Sequence, residues 1–396
     1  ADPPTEAAID GSLPSLLAHA DRGSPAYGQA RMATEAARRR VDSAGAWDDP
    51  MIRIEPEDVL GSGFRPLPGQ PPRTRYQLMQ DIPWQGKRGL RREIAAAGAA
   101  EAAAGEDRIR SALHAAIRRA QAQWLEGLGR REVVASQSAL FEDLESVARA
   151  RYARGLAPQG DVLRAQVELT RLNAEQESID GMVAAAAARL NALLGRTEAA
   201  PLTPPEGQAL ERVPDLEQAL GRVERDAPEV RMATALFEAA DSQRALAFRE
   251  RWPDLRVGVM AMQRDAGEDE WGLMLEFNVP LRLARRRAEE AERLALRDAA
   301  RLAQEDVHAR AAGGLREAHA QARAAMARHD LAERVQFVQS QLTLEAALAA
   351  YRTGATDFLA VIDAALQIKQ AQLDAVAASA DYRRQLAEFL DLLGEA

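Results

Sequence analysis

The sequence predicts a mostly α-helical protein with a small β part: long antiparallel coiled-coil helices, two β-hairpins and an internal two-fold repeat. Tyr152-Ala-Arg-Gly155 opens a helical run that ends at Leu194-Gly195, and a second such run extends from Tyr351-Arg-Thr-Gly354 to Leu393-Gly394 at a constant offset of 199 residues. Two other segments alternate apolar and polar residues, and each precedes a very long stretch of helix-forming residues. A repeat of half the chain favours one body built from two related halves.

Each half is expected to contain a helix, a hairpin and a pair of long helices joined at a tip. The predicted boundaries are 1–195 for the first repeat, 196–212 for a proline-bearing linker or equatorial region, and 213–396 for the second repeat. The hairpins are predicted at 50–83 and 253–280, and the tips at 152–161 and 351–363.

Composition excludes several classes of function. The 396 residues carry a net charge of −9, which argues against a nucleic-acid partner. The absence of cysteine excludes disulfides, thiolate metal sites and a cysteine nucleophile. No pair of histidines has the helical spacing of a metal site, so no metal site and no cofactor are predicted; the histidines are His19, His114, His308, His319 and His329.

Neither a membrane-spanning helix nor an enzyme is predicted. The most apolar run, Met182 to Leu194, is shorter than the roughly 20 residues of a spanning helix and contains Arg189. The chain begins Ala-Asp-Pro-Pro without an apolar signal region, which is typical of a mature or trimmed form. Phosphate loops, nucleophile elbows and zinc-protease motifs are absent from the sequence.

Two long helices follow the hairpins. From about Gly89 to Arg154 there is no proline, and strong helix formers dominate, so a helix on the order of 100 Å is expected. The second stretch, Leu283 to Thr353, is comparable, and Gly313-Gly314 is expected to interrupt it. The glycines at the tips are expected to end helices through a left-handed conformation.

Period-2 alternation around a polar turn predicts each hairpin. Leu255, Val257 and Val259 alternate with Arg256, Gly258 and Met260, for example. The apolar set is expected to form one lipid-facing surface, although Gln80 falls within it. The residues of this set are Ile52, Ile54, Tyr76, Leu78, Ile82, Leu255, Val257, Val259, Leu273, Leu275, Phe277 and Val279.

Four strands with one apolar face cannot close a barrel alone, and an open edge in lipid leaves backbone groups unpaired. Three chains would supply twelve strands, an even number within the outer-membrane range. Two chains would supply eight, which is too narrow for an open pore. The sequence therefore predicts a homotrimer whose barrel contacts outer-membrane lipid.

These features resemble the TolC-like outer-membrane efflux factors. The resemblance rests on both Tyr-x-x-Gly turns, on Asp161-Val-Leu-Arg-Ala-Gln166, on the paired hairpins and on the repeat, and it covers nearly the whole chain. Gln80-Asp-Ile-Pro-Trp-Gln-Gly-Lys87 is most similar to the run that leaves the first hairpin in the heavy-metal (CzcC/CusC-like) branch.

The resemblance implies a twelve-stranded outer-membrane barrel continued by a periplasmic α-helical tunnel. It also implies a periplasmic adaptor (membrane fusion) protein and an inner-membrane pump of the resistance-nodulation-division type as partners. Asp363 would line the periplasmic gate, and Ala360 takes the neighbouring position where many members have a second Asp. The residues that would contact the adaptor are Arg154, Gly155, Leu156, Thr353, Gly354 and Ala355.

The expected function is that of a passive exit duct for periplasmic substrates, with heavy-metal cations as the leading cargo. A drug- or protein-exporting channel of the same architecture and a soluble coiled-coil scaffold are the alternatives. Two roles are open for the basic runs Lys87-Arg88, Arg91-Arg92 and Arg285-Arg-Arg287: contact with lipid headgroups, or an ordinary solvated face.

Overall fold

A computed structural model describes residues 7–57, 73–205, 207, 209–264, 268–278 and 282–395. The described part of the chain forms two compact units, and each combines segments from both halves of the sequence. A helical unit comprises described residues of Ala1–Ala30, Glu106–Pro228 and His308–Ala396. A sheet unit comprises those of Arg31–Gly105 and Glu229–Val307.

Two short helices, a hairpin, a long helix and a shorter helix follow one another in each half. In the first half these elements are β1 (Ile9–Asp10), α1 (Leu13–Gly23), α2 (Pro25–Ala44), β2 (Met51–Glu57), β3 (Arg73–Ile82), α3 (Lys87–Ala153) and α4 (Gln159–Leu193). In the second half they are β4 (Leu202–Thr203), α5 (Leu216–Asp226), α6 (Pro228–Arg249), β5 (Leu255–Arg264), β6 (Glu270–Phe277), α7 (Leu283–Leu331), a π-helical turn (Ala332–Gln336), α8 (Phe337–Thr353) and α9 (Phe358–Leu393).

The second long helix differs from the prediction. α7 continues through Gly313-Gly314 without a break, and the interruption is the π-helical turn at Ala332–Gln336. A glycine inside a helix costs only about 1 kcal/mol relative to alanine, which the surrounding helix formers offset. The expected interruption at this pair was therefore wrong. α3, by contrast, covers 67 residues and matches its predicted span within two residues at the start and one at the end.

Four glycines follow the ends of α3, α4, α8 and α9. Gly155, Gly195, Gly354 and Gly394 have φ values of 70°, 70°, 78° and 75°. This left-handed region is strained for residues with a Cβ atom, so glycine is the residue that ends a helix there at least cost. The predicted helix ends at these glycines are confirmed.

The four long strands form one antiparallel sheet in the order β2-β3-β5-β6. β3 pairs with β5 from Arg73 opposite Arg264 to Ile82 opposite Leu255, and this pairing joins the two hairpins into one surface. β1 and β4 form a separate parallel pair that the sequence analysis missed, because two residues are too few to show a period.

A hydrophobic core in the helical unit holds α3, α4, α8 and α9 together. Phe141, Leu172, Tyr351 and Phe358 belong to this core, and each is at most 4% exposed. It extends to the tips, so the tip geometry is anchored by buried side chains. Among the described residues, no helix has both the length and the apolar character required to cross a membrane.

Candidate functional site

The sheet separates its side chains into two chemically distinct faces. Residues directly opposite each other in an antiparallel pair share a face. Ile52 lies opposite Leu78, Leu78 opposite Val259, and Val259 opposite Leu273, so one row crosses all four strands. The same register places every described residue of the predicted lipid-facing set on one side, the apolar face; Val279 lies outside the described residues.

The apolar face is exposed over most of its area. Leu273 is 87% exposed, Ile52 71% and Leu275 64%, values that are high for aliphatic side chains in a folded protein. Large contiguous apolar surfaces of this kind mark membrane or protein contacts. Gln80 interrupts this face as the sequence indicated, and its amide donates 2.8 Å to the Asp48 carbonyl.

Tryptophans lie near both ends of the apolar face. Trp271 in β6 lies opposite Ala261 at the turn end of the second hairpin. Trp84 lies two residues after the end of β3, Trp252 precedes β5 and Trp47 precedes β2, so these three lie at the opposite end. All four are exposed, Trp271 by 79%. Indole rings at two levels are typical of the aromatic girdles at membrane interfaces.

The Gln80–Lys87 motif forms the junction between the sheet and α3. The Trp84 and Trp252 rings stack with centroids 5.4 Å apart. Lys87 Nζ donates 2.8 Å to Asp254 Oδ1, which also accepts 2.7 Å from the Trp84 backbone N–H. Gly86 has a φ of 89°, and Arg249 packs against it where a Cβ atom would lie.

Lys87 does not take either role considered for its basic run. It is 3% exposed, because its ammonium group is buried at the junction instead of facing solvent or headgroups. Its neighbour Arg88 donates to the Gly45 carbonyl and lies 4.0 Å from the centre of the Trp47 ring. The partner Asp254 was also missed, since it is distant in sequence and no local pattern marks it.

The two helical tips have the same backbone geometry. At the first, the Leu156 N–H donates 2.9 Å to the Arg151 carbonyl; at the second, the Ala355 N–H donates 2.8 Å to the Ala350 carbonyl. These six-residue closures around a left-handed glycine are Schellman motifs. The structure leaves all six residues predicted at the tips exposed: Arg154, Gly155, Leu156, Thr353, Gly354 and Ala355.

Arg151 and Tyr351 bring the tips together, which the sequence analysis did not anticipate. Arg151 Nη1 donates 2.8 Å to the Tyr351 carbonyl, and its guanidinium lies 4.5 Å from the centre of the Tyr351 ring. Tyr351 is 4% exposed and packs at 5.4 Å against the Phe358 ring. The matching residue of the first tip, Tyr152, is 48% exposed, so the two tips differ in packing despite their shared backbone.

Carboxylates at the tips occupy different environments. Asp161 is 8% exposed, and burial raises its pKa above the ordinary value of 3.8. The Asp357 carboxylate raises that pKa further, while Arg164 and Arg151 oppose the shift. Asp363 is exposed and Ala360 is half-buried, with the Ala360 N–H donating 3.1 Å to Asp357 Oδ1.

Within the described residues, no three His, Asp or Glu side chains are grouped so that they could hold a metal ion. The described site residues predicted from the sequence lie on the apolar face of the sheet and at the two helical tips.

Comparison with known proteins identifies the fold. No protein-family model and no curated protein matches the chain. Among solved structures, the outer-membrane channel OprN matches with a TM-score of 0.81 at 20% identity, covering 98% of this chain and 91% of OprN. The outer membrane protein VceC from Vibrio cholerae matches with a TM-score of 0.80 at 20% identity, covering 98% of this chain and 97% of VceC.

CusC, whose structures concern folding and transmembrane channel formation, matches with a TM-score of 0.81 at 15% identity, covering 98% of this chain and 93% of CusC. TM-scores of 0.80 and 0.81 over 98% of the chain show a shared fold. The chain therefore has the fold of these outer-membrane channels over nearly its whole length.

Proposed function

We propose that the chain is the outer-membrane channel of a tripartite efflux pump, a passive exit duct for periplasmic substrates. The observation that carries this proposal is the exposed apolar face of the four-stranded sheet. A surface in which Leu273 is 87% exposed needs an apolar environment, and hydrocarbon supplies one. The shared fold with OprN, VceC and CusC supports the same reading.

The sheet would close into a barrel by combining three chains. Among the described strands, β2 and β6 each pair on one side only. Unpaired edges cost several kcal/mol per group in lipid, so they must meet the edges of other chains. Three copies of four strands give twelve, a number within the range of outer-membrane barrels. The tryptophans at the two ends of the apolar face would lie at the two membrane interfaces.

Exposed apolar residues of the helical unit favour the same ring. One stripe follows the end of α7 through α8 at helical spacing: Leu331, Val335, Val338 and Leu342, each at least 43% exposed. Another includes Val147, Tyr152, Leu163 and Val167 on either side of the first tip. A ring of identical chains requires two different surfaces that contact each other, and these stripes supply such a pair. The trimeric helices would then enclose a periplasmic tunnel.

At the periplasmic end, the exposed tip residues would contact an adaptor protein, and an inner-membrane pump of the resistance-nodulation-division type would supply the energy. Asp363 would line the gate. Three such exposed carboxylates around one axis would repel one another and attract cations. Heavy-metal cations are the proposed cargo, supported by the Gln80–Lys87 motif and by the charge expected at this gate. The matching element order of 13–193 and 216–393 supports the proposed two-fold repeat.

Reconstitution in planar bilayers tests the proposal. The purified chain is expected to run as a trimer in detergent and to form ion-conducting channels. Replacing Asp363 with Ala should raise the conductance of the closed channel severalfold, since removing the carboxylates weakens cation retention at the constriction. Asp374→Ala, on the same helix α9, is the matched control and should conduct like the unmodified chain.

Absence of channels from the unmodified protein would overturn the proposed function. Channels whose conductance is left unchanged by Asp363→Ala would instead remove this residue from the gate.

A further inference from the structure

The methionines of the sheet share one face. Five of the nine methionines in the chain lie in the four strands, and none of the five belongs to the apolar face. Met51 lies opposite Met79, Met79 opposite Gly258, and Gly258 opposite Met274, which places three thioethers and one glycine in a single row. We call this set the methionine face: Met51, Met79, Met260, Met262 and Met274.

Two glycines give these side chains room to meet. A Cβ atom at Gly258 would lie 3.1 Å from Met79 Cγ and 3.2 Å from Met274 Cε, so both side chains extend over the same glycine. A Cβ atom at Gly272 would lie 2.6 Å from Met260 Cε and 3.6 Å from its sulfur. Met79, Met260 and Met274 therefore fill the space above two positions that lack side chains, in adjacent rows of the same face.

Charged residues on the same side of the sheet neutralise one another at the two ends of this patch. Arg256 Nε lies 2.5 Å from Asp81 Oδ1 at one end. At the other end, Arg75 lies 2.5 Å from Glu57, and Arg264 lies 2.5 Å from Glu270. The row of Met51, Met79, Gly258 and Met274 contains no charged residue. The next row includes Arg53, opposite Gln77, and the Arg53 guanidinium lies 3.8 Å from Glu55.

Gln77 adds an oxygen to the patch. It lies opposite Met260 and is only 9% exposed. Its Oε1 atom has no hydrogen-bond partner within the described part of the chain. A buried carbonyl oxygen without a partner costs free energy, so it is available to a ligand.

A soft cation matches this donor set. Thioethers bind Cu(I) in preference to hard divalent ions, whereas Zn²⁺ favours imidazole, thiolate and carboxylate ligands. Because the chain has no cysteine, its methionines are its only strong candidates for soft ligation. Ordinary packing would also place methionine in a core, but the face of a barrel opposite the lipid is normally polar and lined by water.

We propose that the methionine face is a transit site for soft monovalent cations of the Cu(I) and Ag(I) class. The inference rests on the proposed channel function and makes its cargo more specific. Ions would exchange among neighbouring thioethers, with Met51, 48% exposed, as the accessible ligand and Met79, 3% exposed, as the buried one. Binding at such a site must be weak, since conduction requires that the ion also leave.

Silver binding to the full-length protein in detergent tests this site. Methionine methyl resonances of the ¹³C-labelled unmodified protein are followed as AgNO₃ is added, with Zn²⁺ as the comparison cation. The methyl groups of Met51, Met79, Met260 and Met274 should shift with Ag⁺ and stay unchanged with Zn²⁺. The triple variant Met79→Leu, Met260→Leu, Met274→Leu should bind Ag⁺ at least about tenfold more weakly, since even outer-shell changes cost about 10- to 100-fold in metal affinity.

A control with equal methionine loss is Met32→Leu, Met182→Leu, Met326→Leu, which should bind Ag⁺ like the unmodified protein. The K⁺ conductance of each preparation is recorded in planar bilayers alongside. Two outcomes in conducting preparations would overturn the transit site alone. In one, Ag⁺ leaves the methyl resonances of the methionine face unchanged. In the other, the two triple variants bind Ag⁺ with equal affinity. Preparations without any conductance would overturn the channel function, and the transit role with it.

Discussion

Asp161 is a tip carboxylate whose surroundings disfavour its ionised form. It is 8% exposed, it begins α4 within the first turn, and it faces the Asp357 carboxylate as well as Arg151 and Arg164. Burial is the largest cause of its raised pKa, and the nearby carboxylate adds to it. Burial also raises the pKa of Tyr351, and the Asp161 carboxylate adds to that shift, so protonation of Asp161 is coupled to the residue that joins the two tips.

The pH dependence of tip stability follows from this shift. A carboxyl group whose folded-state pKa lies above its ordinary value of 3.8 stabilises the fold fully below pH 3.8, and this contribution is lost as the pH rises through the raised value. Asp161→Asn removes the titrating group, so the tips should be more stable at neutral pH and less dependent on pH. Amide hydrogen exchange of 152–163 and 351–359 should slow severalfold at pH 7, with little change near pH 3.5.

Asp143→Asn, a change at an exposed carboxylate of α3, is the control and should leave tip exchange unchanged at both pH values. Faster exchange in Asp161→Asn at neutral pH would show that the ionised carboxylate stabilises the tip, contrary to this account.

Local patterns predicted the elements that depend on local chemistry. The helix ends at Gly155, Gly195, Gly354 and Gly394 were predictable because each depends on the left-handed backbone conformation of a single residue. The two faces of the sheet followed from period-2 alternation, since a register shift of one residue would move the whole apolar set to the other side. Long-range contacts were not predictable: Lys87 and Asp254 lie 167 residues apart, and Arg151 and Tyr351 lie 200 apart.

The π-helical turn at Ala332–Gln336 was also missed, because no residue type marks it in the sequence. It lies within the exposed stripe of α7 and α8, between Leu331 and Phe337. An extra residue in a turn rotates the following side chains around the helix axis. The turn therefore helps to set which residues of α8 belong to the stripe.

Leu342 tests whether this stripe is the contact between chains. It is 60% exposed in the single chain, and a buried arginine without a partner would oppose association. Leu342→Arg should shift the particle in detergent from trimer toward monomer, measured by native mass spectrometry or light scattering. Gln341→Arg adds the same charge about 100° around the helix and should remain trimeric. Equal behaviour of the two variants would exclude the stripe as an interface.

The whole molecule is suited to a membrane only if the apolar face of its sheet lies against lipid. A single chain exposes Leu273, Leu275 and Ile52 together with two unpaired strand edges among the described strands. Both features are liabilities in water, since such edges and patches promote aggregation. When copies of the sheet join in a membrane, the strand edges pair with one another and the apolar face contacts lipid. The predicted homotrimer and its lipid contact are properties of the assembly, so they belong to the proposed function.

Fluorescent labelling of successive positions along β6 distinguishes a lipid-facing sheet from one that is surrounded by water. The chain has no cysteine, so single cysteines at positions 273, 274 and 275 can each carry one environment-sensitive fluorophore. In reconstituted liposomes, Leu273→Cys and Leu275→Cys should give blue-shifted emission quenched by nitroxide-labelled lipid, whereas Met274→Cys should be quenched by aqueous iodide. A protein that stays monodisperse without detergent, with all three positions equally open to iodide, would contradict the proposed lipid-facing barrel.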